Sequence, residues 1–545
     1  MSTTFDWDAH AASVAMDDRE RIEEETWRDP DAVARIFDKM MVEQGIAGDY
    51  LSLEFNDKVN AVEALSMDLP HDSQFYDHFF RNPDGEDAMI PVTVDTDGGR
   101  WAGMCDRVAL VQEADGTRHI EVSALSMWNH IATTCFWASP FAPILAQLPR
   151  HDIKIGPVIS VGASYLATNR ARIQMSSAPP QFDDDGSWID FGSAMFPVAV
   201  VPVDTLHDTS QWCAYSARFD MGDKVIQEIS RGTGVVWDAE LFLPGDEQPA
   251  PEWFYLDRPT IVIKARDQSN IVGPTGTLLD GITSWFESFL DDNTTPVRYP
   301  NFGAESDWEK AYETGPLGTK RFFPWVWYFE GEYSGIGQAE IAVHKPMATR
   351  VLVGGRSPSW VNAAIEIAIK NMLSWLGLLL GIPGLDALYR GQLDDVFLAF
   401  MVYEDVGRTV RAGPYAWSEF FVTGSEKAFT LDGVVAGLKG LHETRGYTSK
   451  KATVRDREPY IYGLHMRKGQ QIGFALADLI FVDYISEATF RDTRTEPSHW
   501  ELTIGDGAAD ESPIVKGWAR MGQLAQIVAT LSKDVGMEAD FLGIF

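Results

Sequence analysis

Gly99-Arg100-Trp101-Ala102-Gly103-Met104 runs on through Arg107 to Val111, turns at Asp115-Gly116 and returns as Arg118-His119-Ile120-Glu121-Val122-Ser123-Ala124-Leu125. In the returning arm His119, Glu121 and Ser123 alternate with Ile120, Val122 and Ala124. That period of two marks a strand with one buried face, and Asp-Gly between two such arms marks a tight hairpin. Upstream, Tyr50-Leu51-Ser52-Leu53-Glu54-Phe55 and Ile90-Pro91-Val92-Thr93-Val94 alternate in the same way. Short strands with tight turns predict a small antiparallel barrel or sandwich. Further strands are expected at Thr260–Lys264, Ile472–Phe474, Leu479–Ile485 and Trp500–Ile504, and a hairpin at Val235–Trp237 with Glu240–Leu243. Phe196–Val203 reads as an edge strand, because its prolines cannot join a central ladder.

Helical spacing appears in fewer places. Acidic turns at Asp17–Glu25 lead to Asp29-Pro30, and a helix is expected from Asp31 to Glu43 with Val33, Ile36, Phe37, Met40 and Met41 on one stripe. Arg218–Arg231 and Leu431–Thr444 are amphipathic, and Gly522–Val535 is expected as a last helix. The most organised helical stretch is central. Val361, Ile365, Met372, Leu376, Leu379 and Leu380 fall at helical spacing after Gly354-Gly355-Arg356-Ser357-Pro358-Ser359-Trp360, and Pro383-Gly384 ends the run. Its uncharged part, Met372 to Ile382, is about half of the ~20 residues that a membrane span requires. A helix buried or packed on a copy of itself is the expectation. Val396–Tyr403 follows as an apolar strand. Between Gly273 and Tyr333 lies the block Phe322-Phe323-Pro324-Trp325-Val326-Trp327-Tyr328-Phe329, which reads as core or as a partner surface.

The 545 residues carry 80 acidic and 45 basic side chains, a formal net charge of −35. Tight grip on nucleic acid needs cations that neutralise phosphates, so this balance argues against holding DNA or RNA tightly, though not against lying near a passing strand. Three cysteines, Cys105, Cys135 and Cys213, match no zinc or redox spacing and fit a reducing compartment. The acidic N-terminus lacks the apolar run of a secretory signal. No nucleophile elbow, HExxH, P-loop or dinucleotide loop occurs, so no catalytic residue, metal ligand or cofactor is expected. Asp68, His71, Asp72, Asp77 and His78 are dense enough to suggest a metal site, but a solvated loop is the plainer reading.

Several motifs resemble the hub-like minor tail proteins of long-tailed phages that infect actinobacteria. They are Trp128-Asn129-His130-Ile131, Trp137-Ala138-Ser139-Pro140-Phe141 with Pro149, Ser210-Gln211-Trp212, Ser216-Ala217-Arg218-Phe219, Val353–Asn362, Gly384–Phe400 and Leu502–Gly507. The resemblance implies an α+β, β-rich fold like a phage baseplate hub, with two tail-tube-type β-barrel domains, smaller inserted domains and the central apolar helix. On that basis 1–48 is a helical arm, 49–135 a first barrel, 136–210 an aromatic insertion, 211–405 a second barrel containing helix 361–382, and 406–545 a β-rich end with a helix.

It also implies a structural, non-enzymatic component of the virion tail tip, assembled in the bacterial host cytoplasm. Its partners would be two further copies in a homotrimer, the distal tail protein, the tape measure protein and other minor tail, fibre or spike proteins. Double-stranded DNA would pass without specific binding, and the host envelope is a further contact. The interface residues expected are Trp325, Trp327, Trp360, Ile365, Met372, Leu376, Leu379 and Leu380. The alternatives are a receptor-binding tip protein and a tail-associated cell-wall hydrolase.

Overall fold

The computed structural model describes residues 32–82, 85–174, 181–182, 188–189, 197–290, 297–298, 318–322, 324–331, 335–354, 400–404, 406–422, 441, 444–445, 447–455, 459–476, 479–494 and 498–505. The central stretch from 355 to 399, and with it Trp360, Ile365, Met372, Leu376, Leu379 and Leu380, lies outside the described residues. So do the helices expected before residue 31, nearly all of that at 431–444 and that at 522–535.

The described chain is mostly β. Seven strands open it: β1 (Val33–Phe37), β2 (Glu43–Ile46), β3 (Ser52–Lys58), β4 (Ala64–Pro70), β5 (Pro91–Thr96), β6 (Gly99–Gln112) and β7 (Arg118–Ser126). They join one antiparallel ladder in the order β2-β1-β5-β6-β7-β4-β3. The ladder then continues into strands from far along the chain. Glu487–Thr493 of the strand Leu479–Thr493 pairs with β3, His499–Ile504 pairs with that strand, and Ala452–Arg455 pairs with His499–Ile504. Among the described residues the ladder does not close on itself.

The hairpin at Asp115-Gly116 forms as its sequence predicts. The Asp115 carboxylate accepts the Thr117 N–H at 2.9 Å, and Gly116 has φ +87°, a value open to glycine at no steric cost. Alternation fixes the buried face: Leu53 and Phe55 in β3, Leu65, Met67 and Leu69 in β4, and Ile120, Val122 and Ala124 in β7 all point inward. Phe55 of β3 lies opposite Phe490, their rings stacked at 5.1 Å, and Trp500 meets Phe55 edge-on at 5.3 Å.

Two readings of the sequence are corrected. Asp31–Glu43 is not a helix: Val33–Phe37 is a strand paired with β5, and Glu43–Ile46 is a strand paired with Val33–Phe37. Ile36 and Phe37 suit a helical stripe, but the open edge of β5 offers a ladder that local spacing cannot reveal. Between the two strands the Asp38 carboxylate accepts the N–H groups of Met40 and Val42 at 2.8 and 2.9 Å. Val235–Leu243 is likewise no hairpin. Val235–Phe242 is one strand, paired along its whole length with Thr260–Asp267.

That pair builds a second, smaller sheet. Val198–Val200 adds in parallel at its edge, where the flanking prolines predicted it. Helices Val158–Gln174 and Gly222–Ser230, the latter inside the expected 218–231, supply apolar faces to the same core. Trp237 sits there with its indole N–H on Ser230 Oγ at 3.0 Å, while its carbonyl accepts the Trp128 indole at 3.1 Å. Gly162 is required by this packing, since a Cβ there would stand 2.3 Å from the Trp237 ring.

The chain divides into two compact units. The first comprises residues 1–287, 296–340 and 450–506, and the second 288–295, 341–449 and 507–545. Within the second, Arg350–Gly354 lies between Phe400–Glu404 and Glu419–Phe421 in a three-stranded sheet. Arg408, on the helix Val406–Ala412, donates to the carbonyls of Leu441 at 2.6 Å and Ala348 at 3.2 Å, drawing those segments together.

Candidate interface and buried charge cluster

The aromatic block is neither wholly core nor wholly surface. Trp327–Phe329 is a strand parallel to Gln471–Leu476, and the side chains around it alternate. Val326 and Tyr328 are buried, whereas Trp325 and Phe329 are about half exposed. Tyr328 stacks on Phe474 at 5.7 Å, and a Cβ on Gly473 would meet the Trp327 ring at 2.3 Å. Trp325 leans edge-on against Tyr460 and His465 at 6.0 and 5.8 Å and leaves the rest of its indole in solvent. With Phe322 also half exposed, three aromatic rings of this block are presented outward. Of the expected interface residues, Trp325 is therefore half exposed against Tyr460 and His465, and Trp327 is half-buried over Gly473.

A second apolar surface is the loop Ala138–Pro149, which contains no charged residue. Phe141, Ile144, Leu145 and Leu148 are exposed, Leu145 almost completely. The loop is held in shape from inside: the Gln147 amide accepts the Ser139 N–H at 2.8 Å and donates to the carbonyls of Ser139, Ala142 and Pro143. The Ser139 hydroxyl donates to the Leu148 carbonyl at 2.5 Å.

Sequence reading missed a third feature. Lys468 is buried, and its ammonium reaches Glu63 at 2.5 Å, Asp57 at 2.6 Å and Asp238 at 3.4 Å, one carboxylate for each N–H. Arg266 pairs with the other Asp238 oxygen at 2.6 Å. The Tyr462 hydroxyl donates to Asp57 at 2.6 Å and accepts the Lys468 N–H at 3.1 Å. Burial lowers the lysine's proton affinity, but Asp57, Glu63 and Asp238 outweigh it and hold the ammonium well above its ordinary range. Burial likewise opposes the Asp238 carboxylate, and Lys468 and Arg266 overcome it, so Asp238 stays below its ordinary range. Glu63 goes the other way: burial pushes it up to about 8, and Lys468 only partly offsets this. These residues are separated by up to 411 positions, so no motif could announce them.

The residues once suggestive of a metal go separate ways. Asp68 takes the Ser52 hydroxyl at 2.6 Å, and His78 faces the Phe37 carbonyl at 3.2 Å. Among the described residues no group of three or more His, Cys, Asp or Glu is arranged to hold a metal ion. Among them, too, no helix is long and apolar enough to cross a membrane.

Residues 33–506 match the family described as Siphovirus ReqiPepy6 Gp37-like protein. The chain belongs to that family. The match begins at β1 and ends just past the last strand of the ladder, so the family pattern spans the whole sheet. The minor tail protein Gp28 of Mycobacterium phage D29 is 24% identical over 539 residues, covering 84% of this chain and 88% of that one. Its counterpart in Mycobacterium phage L5 is 23% identical over 495 residues, covering 76% and 80%. Among solved structures, a tail protein from Neisseria meningitidis MC58 aligns over 88% of this chain and 99% of its own at 10% identity and a TM-score of 0.36. A 43 kDa tail protein of prophage MuSo2 from Shewanella oneidensis aligns over the same shares at 8% identity and a TM-score of 0.38. The chain is a phage tail protein, a component of the virion tail.

Proposed function

We propose that the protein is a structural hub of the tail tip, linking the tail tube and distal tail ring to the host-contacting tip and surrounding the channel through which DNA leaves. The observation that carries this reading is the family match across residues 33–506 together with two minor tail proteins related along most of their length. In this reading the two sheets of the first unit belong to two tail-tube-type barrels, which three copies complete into a ring. The exposed Trp325, with Trp327, and the expected central helix with Trp360, Ile365, Met372, Leu376, Leu379 and Leu380 are the contacts between copies or with the distal tail and tape measure proteins. The protein performs this role without catalysis. The net charge of −35 suits a wall past which DNA slides, because like charge repels the phosphates rather than gripping them.

Immunogold labelling of intact virions tests the location, and native mass measurement of isolated tail tips tests the stoichiometry. Label at the tip and three copies per particle are expected. Label along the tube, or one or six copies, would overturn the hub reading.

A further inference from the structure

We propose that the buried cluster around Lys468 is a pH-sensitive clasp: it is closed while it holds one extra proton, and losing that proton loosens the turn Ile461–Gln470 from the two sheets that it bridges.

The argument starts from counting charge. Three carboxylates, Asp57, Glu63 and Asp238, face two cations, Lys468 and Arg266. Fully ionised, the group would carry one uncompensated negative charge in a place where Glu63, Asp238 and Lys468 are all nearly excluded from solvent. An unpaired buried charge is expensive, and the least costly remedy is to keep one acid neutral. Glu63 is that acid. Asp238 has both cations, and Asp57 has Lys468 and the Tyr462 hydroxyl while keeping some contact with water. Glu63 shares Lys468 with two competitors, and its Oε1 otherwise receives only the long Lys58 N–H at 3.3 Å.

Every element packed around Glu63 contributes to this balance. Asp57 and Lys58 come from β3, and Lys58 is turned away onto Glu487 of the strand Leu479–Thr493 at 3.1 Å. Asp238 and Glu240 come from Val235–Phe242, and Glu240 is occupied by Lys264 at 2.6 Å. Arg266 comes from Thr260–Asp267, and Tyr462 and Lys468 from the turn itself. Lys58, Lys264 and Arg266 are thus committed elsewhere, and Lys468, which Glu63 shares with Asp57 and Asp238, is left to serve all three carboxylates.

The turn is well placed to respond. It is pressed against the β5–β6 turn so closely that a Cβ on Gly463 would stand 1.8 Å from Gly98. It also carries the only lysine of the cluster. An acid held above its ordinary range in the folded state gives stability that is complete below that range and disappears as pH climbs through the folded value, here about 8. His130, lowered to about 4 by burial and by Arg170, acts with the opposite sign and only below its ordinary value of about 6.5. Between about pH 6.5 and about pH 8 Glu63 still loses stability while His130 no longer contributes, and above about 8 the Glu63 contribution is spent.

The test is thermal unfolding of the full chain across that span, beside Glu63→Gln. The parent is expected to lose melting temperature from about pH 6.5 to about pH 8 and to level off above it, and the variant to lose most of that slope. Parallel curves, or a flat parent curve, would overturn the clasp. A second measurement needs no variant. In limited trypsin digestion at each pH, cleavage at exposed Arg467 in the turn is compared with cleavage at exposed Arg118 in the β6–β7 hairpin. The ratio is expected to rise several-fold through about pH 8, and a constant ratio would equally overturn the proposal.

Discussion

Trp237 and Asp238 are neighbours in one strand and belong to opposite environments. Trp237 enters an apolar core with Tyr165, Ile226 and Ile263, while Asp238 enters the charge cluster with Lys468 and Arg266. Successive side chains of a strand point to opposite faces, so a single step along the chain separates the two. They hold the fold in different ways. The apolar side tolerates loss in proportion to the volume removed. The charged side is strong only while complete, because each group depends on its partners for compensation.

The largest effect should come from breaking the charged side. Lys468→Met keeps the length of the side chain but leaves Asp57 without its cation and Asp238 with Arg266 alone, and it should cost about 3–5 kcal/mol in denaturant unfolding. A cost below that of any single apolar truncation would erase the contrast between the two faces. On the apolar side Trp237→Phe removes part of the ring and the Ser230 hydrogen bond, leaving a buried hydroxyl short of a partner. About 1–3 kcal/mol is expected by the same measurement, with no added pH dependence between about pH 6.5 and about pH 9. Trp325→Ser lies outside both cores, and its stability should stay within about 0.5 kcal/mol of the parent. Its effect belongs to assembly: tails built with it should hold fewer copies of the chain in quantitative blots of purified virions. Normal incorporation would remove Trp325 from the proposed interface.

How much of this was legible in advance differs by element. The β6–β7 hairpin could be read residue by residue, because Asp115-Gly116 and the alternation of Ile120, Val122 and Ala124 are local signals. The same holds for the edge strand Val198–Val200, which is flagged by its prolines. The aromatic block was legible as an anomaly but not as a division, since only its pairing with Gln471–Leu476 decides that Tyr328 is buried and Trp325 is not. Val33–Phe37 misled because its apolar spacing fits a helix and a strand alike.

The sequence by itself determined the β-rich character, the acidity and the family, all of which rest on composition, short-range periodicity and short motifs. Tertiary structure alone decided that β3 pairs with a strand more than four hundred residues later, and that Asp57, Glu63, Asp238, Arg266 and Lys468 share one buried site. The physical reason is that hairpins and alternation are written between neighbours. A ladder partner or a compensating charge is chosen by whatever the folded chain brings within a few ångströms, and sequence separation carries no record of that choice.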